Sequence, residues 1–259
     1  MRYALEVQYR GKCYAGSQIQ FDNGEQIAEP TIQGELEKAL STLIKSGVSA
    51  DNNRPIKTIF SGRTDKGVNS LGQVVHFDYD KDIVASKFVY QMNEILPDDI
   101  SVSNLRIVPD SFHAQKSAKS RYYRYEFINR RYKQAFDGDI LRVKYEIDIE
   151  RMQTALNFLL GEHDFSSFKS SGTLNPSKVC FISRTEVEKQ GDSVFIHIEG
   201  NRFLYNMVRT IVGTLLEIEG HNLSPEHMKD VLEAQDRRKA GRTVSPYGLT
   251  LMRVDYSQR

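Results

Sequence analysis

FSGRTDKGVNSLGQVVHF, from Phe60 to Phe77, is the stretch on which the reading of this chain turns. Gly62, Arg63, Asp65, Lys66 and Gly67 crowd a turn between two apolar segments, residues 56–60 and 73–79, that read as strands. If the backbone is extended from 63 to 65, Arg63 and Asp65 project to the same side. A guanidinium that near keeps a carboxylate ionised even when it is partly dehydrated, and such a carboxylate is a competent nucleophile. The alternative is a turn aspartate bonding its own backbone in an Asx motif. A phosphoryl-accepting aspartate would bring a second one two residues later for a metal, and position 67 is glycine.

Outward from the turn, residues 2–10 alternate as a strand, followed by a polar, glycine-bearing loop to Pro30. Thr31 is placed to cap a helix whose apolar stripe is Ile32, Leu36, Ala39, Leu40, Leu43 and Ile44. A second helix carries Val84, Phe88, Val89, Met92 and Ile95 on one face and is stopped by Pro97. Residues 100–108 form a strand, and Pro109 with Asp110 marks a boundary that divides the chain into residues 1–110 and 111–259.

The second half repeats the style. Residues 121–128 read as a strand, and 149–160 as a helix with Met152, Ala155, Leu156 and Leu159 inward. A hairpin (184–189 and 194–199) turns at Gln190, Gly191 and Asp192. A long apolar helix spans about 203–219, and residues 249–256 close the chain as a strand. Two such halves predict an α+β fold of antiparallel sheets covered by helices.

Bulk numbers narrow the function. With 35 basic and 34 acidic residues, a polyanion must be held by a local patch rather than by the overall field. Cys13 and Cys180 make no disulfide framework, and no apolar run is long enough to span a bilayer, which predicts a soluble, cytoplasmic protein without membrane contact. There is no zinc-protease or zinc-deaminase spacing, no P-loop, no dinucleotide fingerprint and no nucleophile elbow. The reading therefore expects no metal and no cofactor.

The patch is KSAKSRYYRYEFINRRYK, residues 116–133: seven Lys/Arg, one acid (Glu126) and five rings. Tyr123, Tyr125 and Phe127 share one strand face, Tyr122, Arg124 and Glu126 the other. Cations beside exposed rings suit a phosphate backbone and an unstacked base, with Lys116, Lys119, Arg121 and Arg124 as the candidate contacts. Equally, Tyr125 and Phe127 could be core, and the cations a solvated edge that discourages strand pairing. In the apolar helix Arg209 is the odd residue, read either as an internal salt bridge or snorkelling cation, or as a charge held inside a cleft.

GRTDKGV followed by GQVVHF resembles the catalytic signature of the TruA family of tRNA pseudouridine synthases. DSFHAQKSAKSRYYRY, LLGEHDFSSF, FLYNMVRTIVGTLLEIEG and YGLTLMRVDY are similar to four further blocks of that family, in order and over nearly the full length. The resemblance implies two pseudo-symmetric α+β subdomains, with antiparallel or mixed sheets joined across a central cleft and helices outside. It implies an enzyme that converts uridine to pseudouridine at tRNA positions 38, 39 or 40 without cofactor, working as a homodimer.

By position, Asp65 is the implied nucleophile, attacking uracil C6 or ribose C1′. Arg63 pairs with it and holds open the space of the flipped nucleotide. Tyr123 stacks on the uracil and takes the C5 proton, directly or through water, and Arg209 keeps the carboxylate charged. Lys66 is assigned to phosphate. The chain departs from the family's Y-x-G-W-Q-x-Q at Ser17, in a longer segment at residues 21–30, and at Asn69 and Ser70. The rival reading is a non-catalytic RNA-binding relative or RNA chaperone of the same fold; Asp65, Arg63, Tyr123 and Arg209 together favour the enzyme.

Overall fold

In β1 (Arg2–Tyr9) every second side chain, Tyr3, Leu5, Val7 and Tyr9, is buried, as a strand with one face on a core requires. The structure is a computed structural model that describes residues 1–22, 25–26, 28–45, 56–170 and 177–257. The chain divides into two units, Met1–Lys119 with Leu251–Arg259, and Ser120–Thr250.

The first unit continues with a small ladder of β2 (Phe21–Asp22) and β3 (Glu25–Gln26), then α1 (Ile32–Lys45), β4 (Ile59–Phe60), β5 (Asn69–Asp78), α2 (Ala85–Ile95) and β6 (Ile100–Val108). β1 lies between β5 and β6, antiparallel to both, and β4 pairs antiparallel with β5. The capping role read for Thr31 is realised: its Oγ1 accepts from Gly34 N at 3.1 Å. Ile32, Leu36, Ala39 and Leu40 are buried against Tyr3, Phe77 and Val75, with Leu43 packed on the same core. The side chain of Ile44, and residues 23, 24 and 27 of the 21–30 segment, lie outside the described residues.

Two expectations are trimmed. β4 is two residues long because Thr58 bonds a side chain rather than a ladder: its N and Oγ1 both donate to Glu37 Oε1, at 2.8 and 3.0 Å. In α2 only Phe88 and Met92 are fully buried, while Val84 and Ile95 are exposed. The unit runs past Pro109–Asp110 because the next turn is tied back to it. Arg2 Nη1 donates to the carbonyls of Asp110 and Phe112, and Ala114 N donates to His76 Nδ1 at 3.1 Å.

The second unit holds β7 (Ser120–Asn129), β8 (Leu141–Val143), α3 (Ile149–Asn157), β9 (Gly161–Asp164), β10 (Val179–Gln190), β11 (Ser193–Gly200), α4 (Met207–Gly220) and α5 (His227–Ala234). Its strand order is β7-β11-β10-β9, antiparallel throughout, with β8 parallel to the other edge of β7. Tyr125 and Phe127 are fully buried against Val194, Ile196 and Ile198, so these two rings of the basic strand are core. Met152, Ala155, Leu156 and Leu159 face inward as their spacing predicts. α4 starts at Met207 rather than near 203 because Asn206 sits in the left-handed region at φ 61°, which asparagine tolerates better than most residues. Glu219 closes the helical layer: its buried carboxylate takes both Arg151 Nε and Nη2 at 2.8 Å and Asp148 N at 2.7 Å.

The closing strand, β12 (Leu249–Asp255), is assigned from Leu251 onward to the first unit, where it lies beside β5. Among the described residues no helix is long and apolar enough to cross a membrane.

Candidate active site

Asp65 lies at the head of a tight turn. Val68 N donates to Asp65 O at 3.1 Å, and Gly67 takes φ 83°. That backbone is open to glycine and strained for a side chain, which explains the glycine of the D-K-G triplet.

The residue before it is held from three directions. Thr64 N donates to Ser17 Oγ at 2.8 Å, Thr64 O accepts from Ser17 N at 3.1 Å, and Thr64 Oγ1 pairs with Tyr9 OH at 2.8 Å. Gly16 and Asp65 form a backbone bridge, Gly67 N donates to Gly11 O at 3.2 Å, and Asn69 Oδ1 accepts from Gly11 N at 2.9 Å. From beneath, the fully buried Gln73 donates to Gly62 O at 3.0 Å. The backbone on both sides of Asp65 is thus fixed, while Asp65 itself is half-buried. Burial pushes the Tyr9 phenol up from its ordinary pKa, so it stays neutral and free to donate or accept at Thr64.

Arg63 is exposed and makes no hydrogen bond or ion pair with any described residue. Its guanidinium is therefore open to solvent rather than engaged with Asp65. Lys66 forms an exposed ion pair with Glu29 at 2.7 Å. Lys116 and Lys119 are exposed in the first unit, Lys116 within the turn that His113 and Ser117 close and Lys119 two residues after it.

The second unit holds Tyr123, Arg209, Arg121 and Arg124. Tyr123 lies opposite Ile198 on the core-facing side of β7, but it is only half-buried, and the edge of Phe203 meets its ring at 5.1 Å and 82°. Arg209 is half-buried: Nε donates to Val244 O at 2.8 Å and Nη1 to Asn206 Oδ1 at 2.7 Å. The left-handed Asn206 thus ends the preceding loop and orients the arginine. Arg121 Nη1 donates to Asn201 O at 2.7 Å, and the Arg124 guanidinium sits 4.9 Å from the Phe195 ring centre.

Comparison with known proteins places the chain. A tRNA pseudouridine synthase A of Bacillus licheniformis is 40% identical over 257 residues, covering 99% of this chain and 99% of that protein. The chain belongs to the tRNA pseudouridine synthase A family. Its Bacillus subtilis member is 38% identical over 257 residues, again with 99% of both chains covered. The Photobacterium profundum member is 40% identical over 259 residues, 100% of this chain and 94% of its own. A family model described as tRNA pseudouridine synthase matches residues 155–257. A chain of a Cbf5-Nop10-Gar1 complex aligns at TM-score 0.39 and 10% identity, covering 83% of this chain and 44% of that one, a likeness too distant to add to the assignment. Membership in the tRNA pseudouridine synthase A family makes the chain an isomerase, and the α+β fold read from its patterning stands.

Sequence patterning did not anticipate Tyr9, Ser17, Gln73, Phe203 or Asn206 as supports. The use of Ser17 as a double bond to Thr64 depends on residues 47 positions apart.

Proposed function

We propose that this chain isomerises uridine to pseudouridine in the anticodon arm of tRNA, at position 38, 39 or 40, with Asp65 as nucleophile. The observation that carries the reading is the half-buried Asp65 on a backbone fixed by Thr64 and the Val68 turn. A positioned carboxylate loses little further freedom on reaching a transition state.

Asp65 attacks C6 of the uracil, or C1′ of the ribose, and the N1–C1′ bond breaks. The base rotates, a C5–C1′ bond forms, C5 gives up its proton, N1 gains one, and the carboxylate is released unchanged. Atoms and charge balance without a cofactor or metal. Tyr123, half-exposed and buttressed by Phe203, stacks on the flipped uracil and accepts or relays the C5 proton. Arg209, oriented by Asn206 and Val244, favours the charged carboxylate. Arg63 meets the RNA where the nucleotide leaves the stack, and Lys116, Lys119, Arg121 and Arg124 contact phosphates, with Lys66 joining them if Glu29 releases it.

The assignment extends to a homodimer working in the cytoplasm, to which the two free thiols are suited. Mapping pseudouridine in tRNA from cells with and without the chain tests the reading. Loss of the modification at 38, 39 or 40 supports it, and an unchanged map refutes it.

A further inference from the structure

The loop between β7 and β8 is built around a buried cation. Parallel strands cannot be joined by a tight hairpin, so the chain must swing out between Asn129 and Leu141 before returning. Such a loop could be loose, yet this one is pinned. The Arg130 side chain is only 8% exposed; its Nη2 lies 2.5 Å from Asp137 Oδ1 and its Nη1 2.7 Å from Asp192 Oδ2. Arg130 Nε donates to Tyr132 O at 3.0 Å, and Gln134 N donates to Asp137 Oδ2 at 2.8 Å.

What the pinned loop shows to solvent is unusual. Phe136 is 101% exposed and Tyr132 63% exposed. The exposed Arg131 and Lys133 on either side of Tyr132 make no hydrogen bond or ion pair with any described residue. Phe136 offers nothing polar, so only its ring face can recognise a partner. Its neighbours Gln134, Ala135, Asp137 and Gly138 include no second large apolar side chain, so they do not build the apolar core that a protein interface places around such an anchor. Two outward rings with unpaired cations on a preorganised loop match an unstacked base and its phosphates.

We infer that residues 131–136 form a further RNA contact of the second unit, in which Phe136 and Tyr132 stack on unpaired bases and Arg131 and Lys133 hold the backbone. This rests on tRNA being the substrate. Because the loop is ordered before binding, little conformational freedom is lost when RNA arrives.

The test is tRNA binding and turnover by the full chain carrying Phe136→Ala, Phe136→Leu or Phe136→Trp, with sedimentation of each. The Ala and Leu variants should raise the Kd for tRNA about tenfold with kcat at saturating tRNA unchanged, and Phe136→Trp should restore binding. Arg131→Gln with Lys133→Gln should lower the slope of log K against log salt by roughly 1.5. Unchanged affinity in Phe136→Ala, with a wild type that binds and converts tRNA, overturns the inference and leaves the main reading intact. A change in subunit association that accounts for the lost affinity assigns the rings to a second copy, which also overturns it. A wild type that binds no tRNA removes the reading beneath.

Discussion

Ser17 and Thr64 exchange two hydrogen bonds, Ser17 N to Thr64 O and Thr64 N to Ser17 Oγ, and so fix the residue immediately before Asp65. Ser17 is fully buried. Removing the hydroxyl would leave a buried Thr64 N–H without its acceptor, a loss of about 1–3 kcal/mol.

Ser17→Ala should therefore lower kcat about tenfold through a misplaced Asp65, with a much smaller change in the KM for tRNA. Ser17→Thr, which keeps the acceptor, should retain more activity than the alanine variant. Steady-state kinetics of both check this, and an unchanged kcat in Ser17→Ala would remove Ser17 from the positioning of Asp65.

Gly213 governs the placement of Arg209, the cation proposed for the site. A Cβ at Gly213 would fall 1.7 Å from Arg242 O, a backbone atom that can yield only by moving the segment leading to Val244. Val244 O is the acceptor for Arg209 Nε. Gly213→Ala is expected to destabilise the protein by about 1–3 kcal/mol and to lower turnover in the folded fraction. Denaturant unfolding beside kinetics measures both; full stability would mean that this crossing tolerates a side chain.

His76, the histidine of VVHF, serves structure. Burial pushes its imidazole from an ordinary value near 6.5 down to about 4, with the nearby Arg2 charge adding to the effect, and its Nδ1 must stay unprotonated to accept from Ala114 N. Between those values the unfolded chain binds a proton that the native chain refuses, so stability rises with pH from about 4 to 6.5. This contribution is complete above 6.5 and lost as pH falls through 4. Thermal unfolding over that range should be less steep in pH for His76→Gln than for wild type, and identical slopes would contradict the account.

The elements were legible wherever burial has a period. The alternation in residues 2–9, the stripe of Ile32, Leu36, Ala39 and Leu40, and the inward set of α3 each report a face that must leave water. Short elements were not: β8 and β9 carry too few residues to establish a period. Asp65 was singled out from its turn, but its supports could not be, because Tyr9, Ser17 and Gln73 reach the turn only through tertiary folding. Arg63 illustrates the limit from the other side. Spacing put it on the same side as Asp65, yet a side chain on an exposed turn is free to extend into solvent, and this one does.

Asp65 carries the central claim. Tritium release from tRNA labelled at uridine C5 reports the proton that leaves when the new C–C bond forms. Asp65→Asn should bind tRNA with nearly wild-type affinity and release no tritium above background. Release at the wild-type rate by that variant would contradict the assignment of Asp65 as nucleophile.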